Sequence, residues 1–85
     1  MKIIFTREGW EEYQVIASQD KKKIVKINRC LESIRRDGSL HGEGKPEKLK
    51  YREGYSRRID EKNRLVYNVD DDSITILSCY GHYED

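Results

Sequence analysis

The apolar positions change period twice along the chain. Residues 2–5, Lys-Ile-Ile-Phe, are a short run of β-favouring side chains and predict a strand. A helical rhythm follows. Thr6 is placed to cap a helix whose first turns carry Glu8, Glu11 and Glu12, acids suited to the positive end of a helix dipole. Trp10, Tyr13 and Ala17 then recur at helical spacing, with Ile16 beside them. Asp20 restarts the pattern as a second cap. Ile24, Ile27, Leu31 and Ile34 repeat at three and four residues, the stripe of an amphipathic helix of about four turns. Lys21, Lys22, Lys26, Arg29, Arg35 and Arg36 lie off that stripe. Asp37-Gly38 ends it, because Gly38 can take a left-handed cap conformation.

Residues 38–47 hold Gly38, Gly42, Gly44 and Pro46 and predict a loop. From Leu49 the period becomes two. Residues 55–59, 64–69 and 74–80 read as strands joined by the short polar turns Asp60-Glu61-Lys62-Asn63 and Asp70-Asp71-Asp72-Ser73, which makes them an antiparallel meander. The order β-α-α-β-β-β predicts an α+β domain over residues 1–85: an antiparallel sheet with two N-terminal helices packed on one face. The other face is expected to stay partly open, a place to lay a nucleic acid strand.

Composition narrows the function classes. The chain is 39% charged and 35% hydrophobic, but its apolar residues are periodic, which argues for a folded domain rather than disorder. No apolar run approaches the roughly 20 residues of a membrane span, and charges at Arg7, Glu8, Glu11 and Glu12 interrupt the start too early for a secretory signal. Cys30 and Cys79 form no CxxC pair and sit among apolar neighbours, so reduced, buried thiols in a cytoplasmic protein are expected. Neither a zinc spacing nor a cofactor motif is present, and neither group is expected. The net charge of +1 hides a segregation: residues 20–58 carry 13 Lys and Arg against 6 Asp and Glu, whereas residues 59–85 carry 2 against 7. A basic middle between acidic ends can attract phosphate, although a solvated lysine-rich helix face is the commoner meaning of such a charge pattern.

Four features stand out chemically. They are the loop GEGKPEKLK around Glu47, the pair Arg57 and Arg58 on opposite faces of a strand, Arg64 at a strand start, and His82-Tyr83 near the end. Each has an ordinary explanation. Glu47 is one of 16 acids. Arg57 and Arg58 fit the charges of an exposed strand, Arg64 fits a turn pair with Glu61, and His41 fits a solvent-exposed loop. Taken together they make a kit for RNA cleavage by the substrate's own 2′-hydroxyl, which needs a base, an acid and cations around the phosphorus.

The blocks just quoted, with Trp10 and Tyr13 in a W-x-x-Y step, GKPEKLK at 44–50, YSRRI at 55–59, NRLVY at 63–67 and HY at 82–83, resemble the YoeB/Txe-type toxins of the RelE superfamily over nearly the whole chain. That resemblance implies a microbial-ribonuclease-like fold, metal-independent cleavage of messenger RNA in the decoding site of the ribosome, and inhibition by a paired antitoxin of YefM/Axe type. It also suggests a homodimer. By position, Glu47 would be general base, His82 general acid, Arg64 the stabiliser of the pentacoordinate phosphorus, and Tyr83 a positioning group. Lys50, Arg57 and Arg58 would hold RNA phosphate. Familiar members stop at the Tyr, whereas here Glu84 and Asp85 follow and would either favour the protonated form of His82 or repel RNA. The competing reading is a non-catalytic relative that acts by binding, as gyrase-inhibiting members of the superfamily do or as a repressor partner of an antitoxin. A third is RNA binding without chemistry, by stacking on Tyr51, Tyr55, Tyr67, Tyr80 and Tyr83.

Overall fold

The computed structural model describes residues 1–81. A strand β1 (Lys2–Phe5) leads into helix α1 (Arg7–Gln19) and helix α2 (Lys21–Asp37). Both predicted caps form: Thr6 Oγ1 accepts the Gly9 N–H at 3.0 Å, and Asp20 Oδ1 accepts the Lys23 N–H at 3.1 Å. Gly38 closes α2 by donating its N–H to the Ile34 carbonyl at 3.0 Å, with φ 94° and ψ 179°. That is a glycine-only conformation, more extended than the left-handed cap expected of it.

Four more strands follow: β2 (Glu47–Lys48), β3 (Tyr55–Arg58), β4 (Arg64–Val69) and β5 (Ser73–Ser78). The sheet order is β1-β5-β4-β3-β2. The meander β3-β4-β5 is antiparallel, as alternation and short turns predicted. Two features differ from the expectation. β1 pairs with β5 in parallel, so the sheet is mixed, and the GKPE loop contributes the two-residue edge strand β2 against β3. The parallel pairing follows from the helical hairpin, which carries the chain across the sheet before β3 begins.

The core lies between the helices and one sheet face. Ile16, Ile27, Cys30, Leu31 and Ile34 meet Ile59, Leu65, Tyr67, Ile74 and Ile76 there. In α1 the buried positions are Gly9 and Ile16, while Trp10 stays 47% exposed and Ala17 is exposed. Gly9 is what lets α1 cross β5 closely: a Cβ there would sit 2.5 Å from the Ile76 carbonyl oxygen. Both cysteines are free and buried. Burial pushes the Cys30 thiol up and the Cys79 thiol up to about 12, so neither is a ready nucleophile.

Candidate active site

Alternation in the sheet sends odd and even residues to different environments. Tyr55, Arg57, Leu65 and Tyr67 turn toward the helices, whereas Ser56, Arg58, Arg64 and Val66 belong to the second face. Glu47 is registered against Ser56 and joins that second face from the edge. Arg64 donates Nε–H to Ser56 Oγ at 3.0 Å, and its Nη2 lies 3.6 Å from Glu47 Oε2. The guanidinium is mostly covered, with 16% of the side chain exposed, while the Glu47 side chain is 72% exposed. Arg64 Nη2 is buried and has no hydrogen-bond partner among the described residues. A cation with a spare donor thus stands beside an accessible carboxylate, with no partner at Glu61. Chemically, the pair can hold an anionic oxygen and accept a proton next to it.

The turn before Arg64 ties in the end of the described chain. Asp60 Oδ1 accepts the N–H groups of Lys62 and Asn63, each at 2.8 Å. Burial opposes the Asp60 charge, but these bonds and Lys23, 3.5 Å away, hold its carboxyl below the usual range. Asn63 Nδ2 donates to Asp60, and Asn63 Oδ1 accepts the Gly81 N–H at 2.7 Å. The Gly81 carbonyl in turn accepts the Arg64 N–H at 3.2 Å. Gly81 is therefore gripped on both sides by residues 63 and 64. His82 and Tyr83, the remaining candidates, lie outside the described residues. Sequence reading missed this grip. Its only signal was Asp60 and Asn63 three residues apart in a turn, a spacing that favours side-chain capping of the turn's N–H groups.

A bulge lies close by. Val66 pairs with Ser78 but Tyr67 pairs with Ile76, so β5 carries one extra residue, Leu77. Val66, Leu77 and Ser78 floor an open groove of about 600 Å³ walled by Thr6, Arg7, Glu8, Arg52 and Tyr80. Lys50 and Arg58 are exposed near the Glu47–Arg64 pair in sequence or register.

Arg57 does not belong with them: it makes no surface available for the RNA contact expected of it. It has no solvent exposure. Nε donates to Tyr67 Oη at 2.8 Å, Nη1 to Ser33 Oγ at 2.9 Å and the Glu43 carbonyl at 2.8 Å, and Nη2 to the Gly38 and His41 carbonyls, each at 2.7 Å. All five N–H groups of a guanidinium are thereby used inside the protein. Tyr67, likewise fully buried, is unavailable for base stacking, whereas Tyr51 is 82% exposed. Among the described residues, no three His, Cys, Asp or Glu side chains come together as a metal group, and no helix is long and apolar enough to cross a membrane.

Comparison with known proteins identifies the family. Residues 5–83 match the family described as YoeB-like toxin of bacterial type II toxin-antitoxin system. Toxin YoeB of Escherichia coli is 44% identical, the match covering 98% of this chain and all of that protein. The YoeB dimer from Staphylococcus aureus superposes with a TM-score of 0.93 at 49% identity, covering 98% of each chain. The heterotetrameric YoeB-YefM toxin-antitoxin complex from the same species gives 0.91 at 49% identity, with 98% of each chain covered. With a full-length match in sequence and in fold, the chain belongs to the YoeB-like toxins of bacterial type II toxin-antitoxin systems.

Proposed function

We propose that this toxin is a ribosome-dependent endoribonuclease that cuts messenger RNA in the decoding site without a metal ion. The observation that carries the reading is the apposition of exposed Glu47 and Arg64 at 3.6 Å, with Arg64 Nη2 free of hydrogen bonds among the described residues. Glu47 takes the proton from the 2′-hydroxyl. The 2′-oxygen attacks phosphorus, Arg64 neutralises the extra charge on the phosphoryl oxygens, and the bond to the 5′-oxygen breaks as His82 gives that oxygen its proton. Tyr83 positions the reacting phosphate, and Lys50 and Arg58 hold the flanking backbone. The products are a 2′,3′-cyclic phosphate and a 5′-hydroxyl.

Primer extension on a translated message after brief induction tests this directly. Cuts within codons on ribosomes, with 5′-hydroxyl ends, are expected. Arrested replication with intact transcripts would replace the reading by one of binding alone. For partners, the solved relatives point to a second copy of the chain and an antitoxin of YefM type. The face suited to self-association is the mainly apolar hollow of about 430 Å³ lined by Ile3, Phe5, Trp10, Tyr13 and Leu31 together with Asn28 and Glu32. Light scattering of the Trp10→Lys chain should then show monomers where the unaltered chain gives dimers. A toxin working on ribosomes with its antitoxin operates in the cytoplasm.

A further inference from the structure

On the second sheet face, Arg58 stands directly opposite Arg64 in the β3–β4 register, with both side chains on the same side. Like charges placed opposite each other across a strand pair are destabilising. Glu47 answers Arg64. Arg58 has no ion pair among the described residues, and neither does Lys45, which lies beside it. Together with Lys26, Gly44 and Ile59, these two cations line a hollow of about 210 Å³.

The hollow is built rather than incidental. The Gly44 carbonyl accepts the Arg58 N–H at 2.6 Å, pressing the loop onto β3. Gly44 has φ +90°, and a Cβ on it would meet Arg57 Cβ at 3.0 Å, so only glycine permits this approach. The next residue, Lys45, is held at φ 49°, and among the described residues it alone of the non-glycines has positive φ. A lysine in that region costs backbone energy, and its exposed side chain returns no packing. Lys26 is fixed on the third side by Glu43 at 2.8 Å, but Glu43 also serves Arg29 at 3.1 Å, which leaves the cluster with a cationic excess.

We infer that this hollow is a second phosphate subsite, taking the RNA phosphodiester next to the one faced by Arg64, with Lys45 as its principal contact. The inference rests on the ribonuclease reading for which phosphate is cut, but not for binding itself. RNA backbone fits better than a free anion because Arg58, which stands opposite Arg64 in register, also lines the hollow with Lys45 and Lys26.

The test is fluorescence anisotropy of a labelled hexanucleotide RNA bound to the full chain carrying Glu47→Gln, across a salt series. Adding Lys45→Gln should weaken binding several-fold and reduce the slope of log K against log salt by about 0.7, the contribution of one phosphate contact on a single strand. Lys45→Arg should restore both. Lys22→Gln, on exposed helix surface, is the control. Equal effects of Lys45→Gln and Lys22→Gln would reduce the hollow to part of a diffuse field and overturn the proposal, as would no measurable RNA binding. If inorganic phosphate at millimolar concentration removed the Lys45 effect while RNA stayed bound, the site would be one for a free anion, not backbone. Cleavage by the unaltered chain is scored separately. A chain that binds through Lys45 but never cuts keeps the subsite and loses the ribonuclease reading, and the reverse result does the opposite.

Discussion

Arg57 and Arg64 sit in neighbouring strands of one sheet, yet they do opposite things. On the helix-covered face, Arg57 spends all five N–H groups on Tyr67, Ser33 and three loop carbonyls. It fastens residues 38–43 to the core and so sets the start of the segment that leads to Glu47. On the other face, Arg64 uses Nε on Ser56 and leaves Nη2 without a hydrogen bond among the described residues, 3.6 Å from a carboxylate. A buried arginine with every donor consumed is a structural clamp. One with a donor to spare, aimed at an exposed acid, is poised for a ligand that brings its own oxygens. Charge content alone cannot separate the two, whereas counting satisfied donors does.

The sharpest test of the open face is Glu47→Gln, which keeps the shape and removes the base. Cleavage of message on programmed ribosomes should slow by roughly 10²–10⁴-fold, with ribosome binding barely changed. His82→Gln should match it, and a wild-type rate in either chain would move the corresponding proton transfer to another group. The covered face is tested by Arg57→Met. It leaves Ser33, Tyr67 and three carbonyls short of a donor, and rewetting of the loop offsets part of that. A loss of about 3 kcal/mol in urea unfolding is expected, against less than about 0.5 kcal/mol for exposed Arg58→Gln. Equal losses would erase the contrast between the faces. A smaller effect is expected from Ser56→Ala, which frees Arg64 Nε. It should lower the cutting rate about tenfold, the scale of one hydrogen bond to a charged group, without shifting the urea midpoint comparably. An unchanged rate would mean that Arg64 needs no such orientation.

Much of this arrangement was readable from the residues. The caps at Thr6 and Asp20, the Ile27–Leu31–Ile34 stripe and the three-strand meander followed from spacing alone. Even the inward phase of Arg57 was present, since Tyr55 and Ile59 flank it at period two. What spacing could not supply were its acceptors. They are mainly backbone carbonyls of a glycine-rich loop, which carry no sequence signature, and a charged residue is seldom buried without such partners. The same holds for β2 and for the parallel pairing of β1. Both are non-local pairings whose register is decided by the tertiary path rather than by local preference. Of the site, Glu47 and Arg64 lie 3.6 Å apart on the second face, a meeting that no spacing along the chain prescribes. The contribution of His82 and Tyr83 still rests on the family motif.

The weakest but most discriminating effect concerns Glu43, which spans the two regions. Its backbone is clamped by Ser33 and Arg57, while its carboxylate accepts from Lys26 beside the Lys45–Arg58 hollow. The hydrogen bond from Lys26 holds that carboxyl below its ordinary value of 4.5; partial burial works against this, and the charges of Lys26 and Arg29 reinforce it. A folded-state value below the unfolded one means that the unfolded chain takes up its proton first as pH falls. The stability Glu43 contributes is therefore complete above about pH 4.5 and is lost as pH drops through the lowered folded value. Glu12 works the other way. Burial raises its carboxyl, so its contribution is largest at low pH and fades as pH rises through that raised value. In urea unfolding between about pH 6 and about pH 3, Glu43→Gln should flatten the acid loss of stability and Glu12→Gln should steepen it. Asp37 and Asp60, also held low, keep the slope from vanishing. If Glu43→Gln left the slope unchanged, the Lys26–Glu43 pair would be as labile as a solvent-exposed one. Lys26 could then not be regarded as fixed in place beside Lys45, and the hollow would have to recruit it only when an anion arrives.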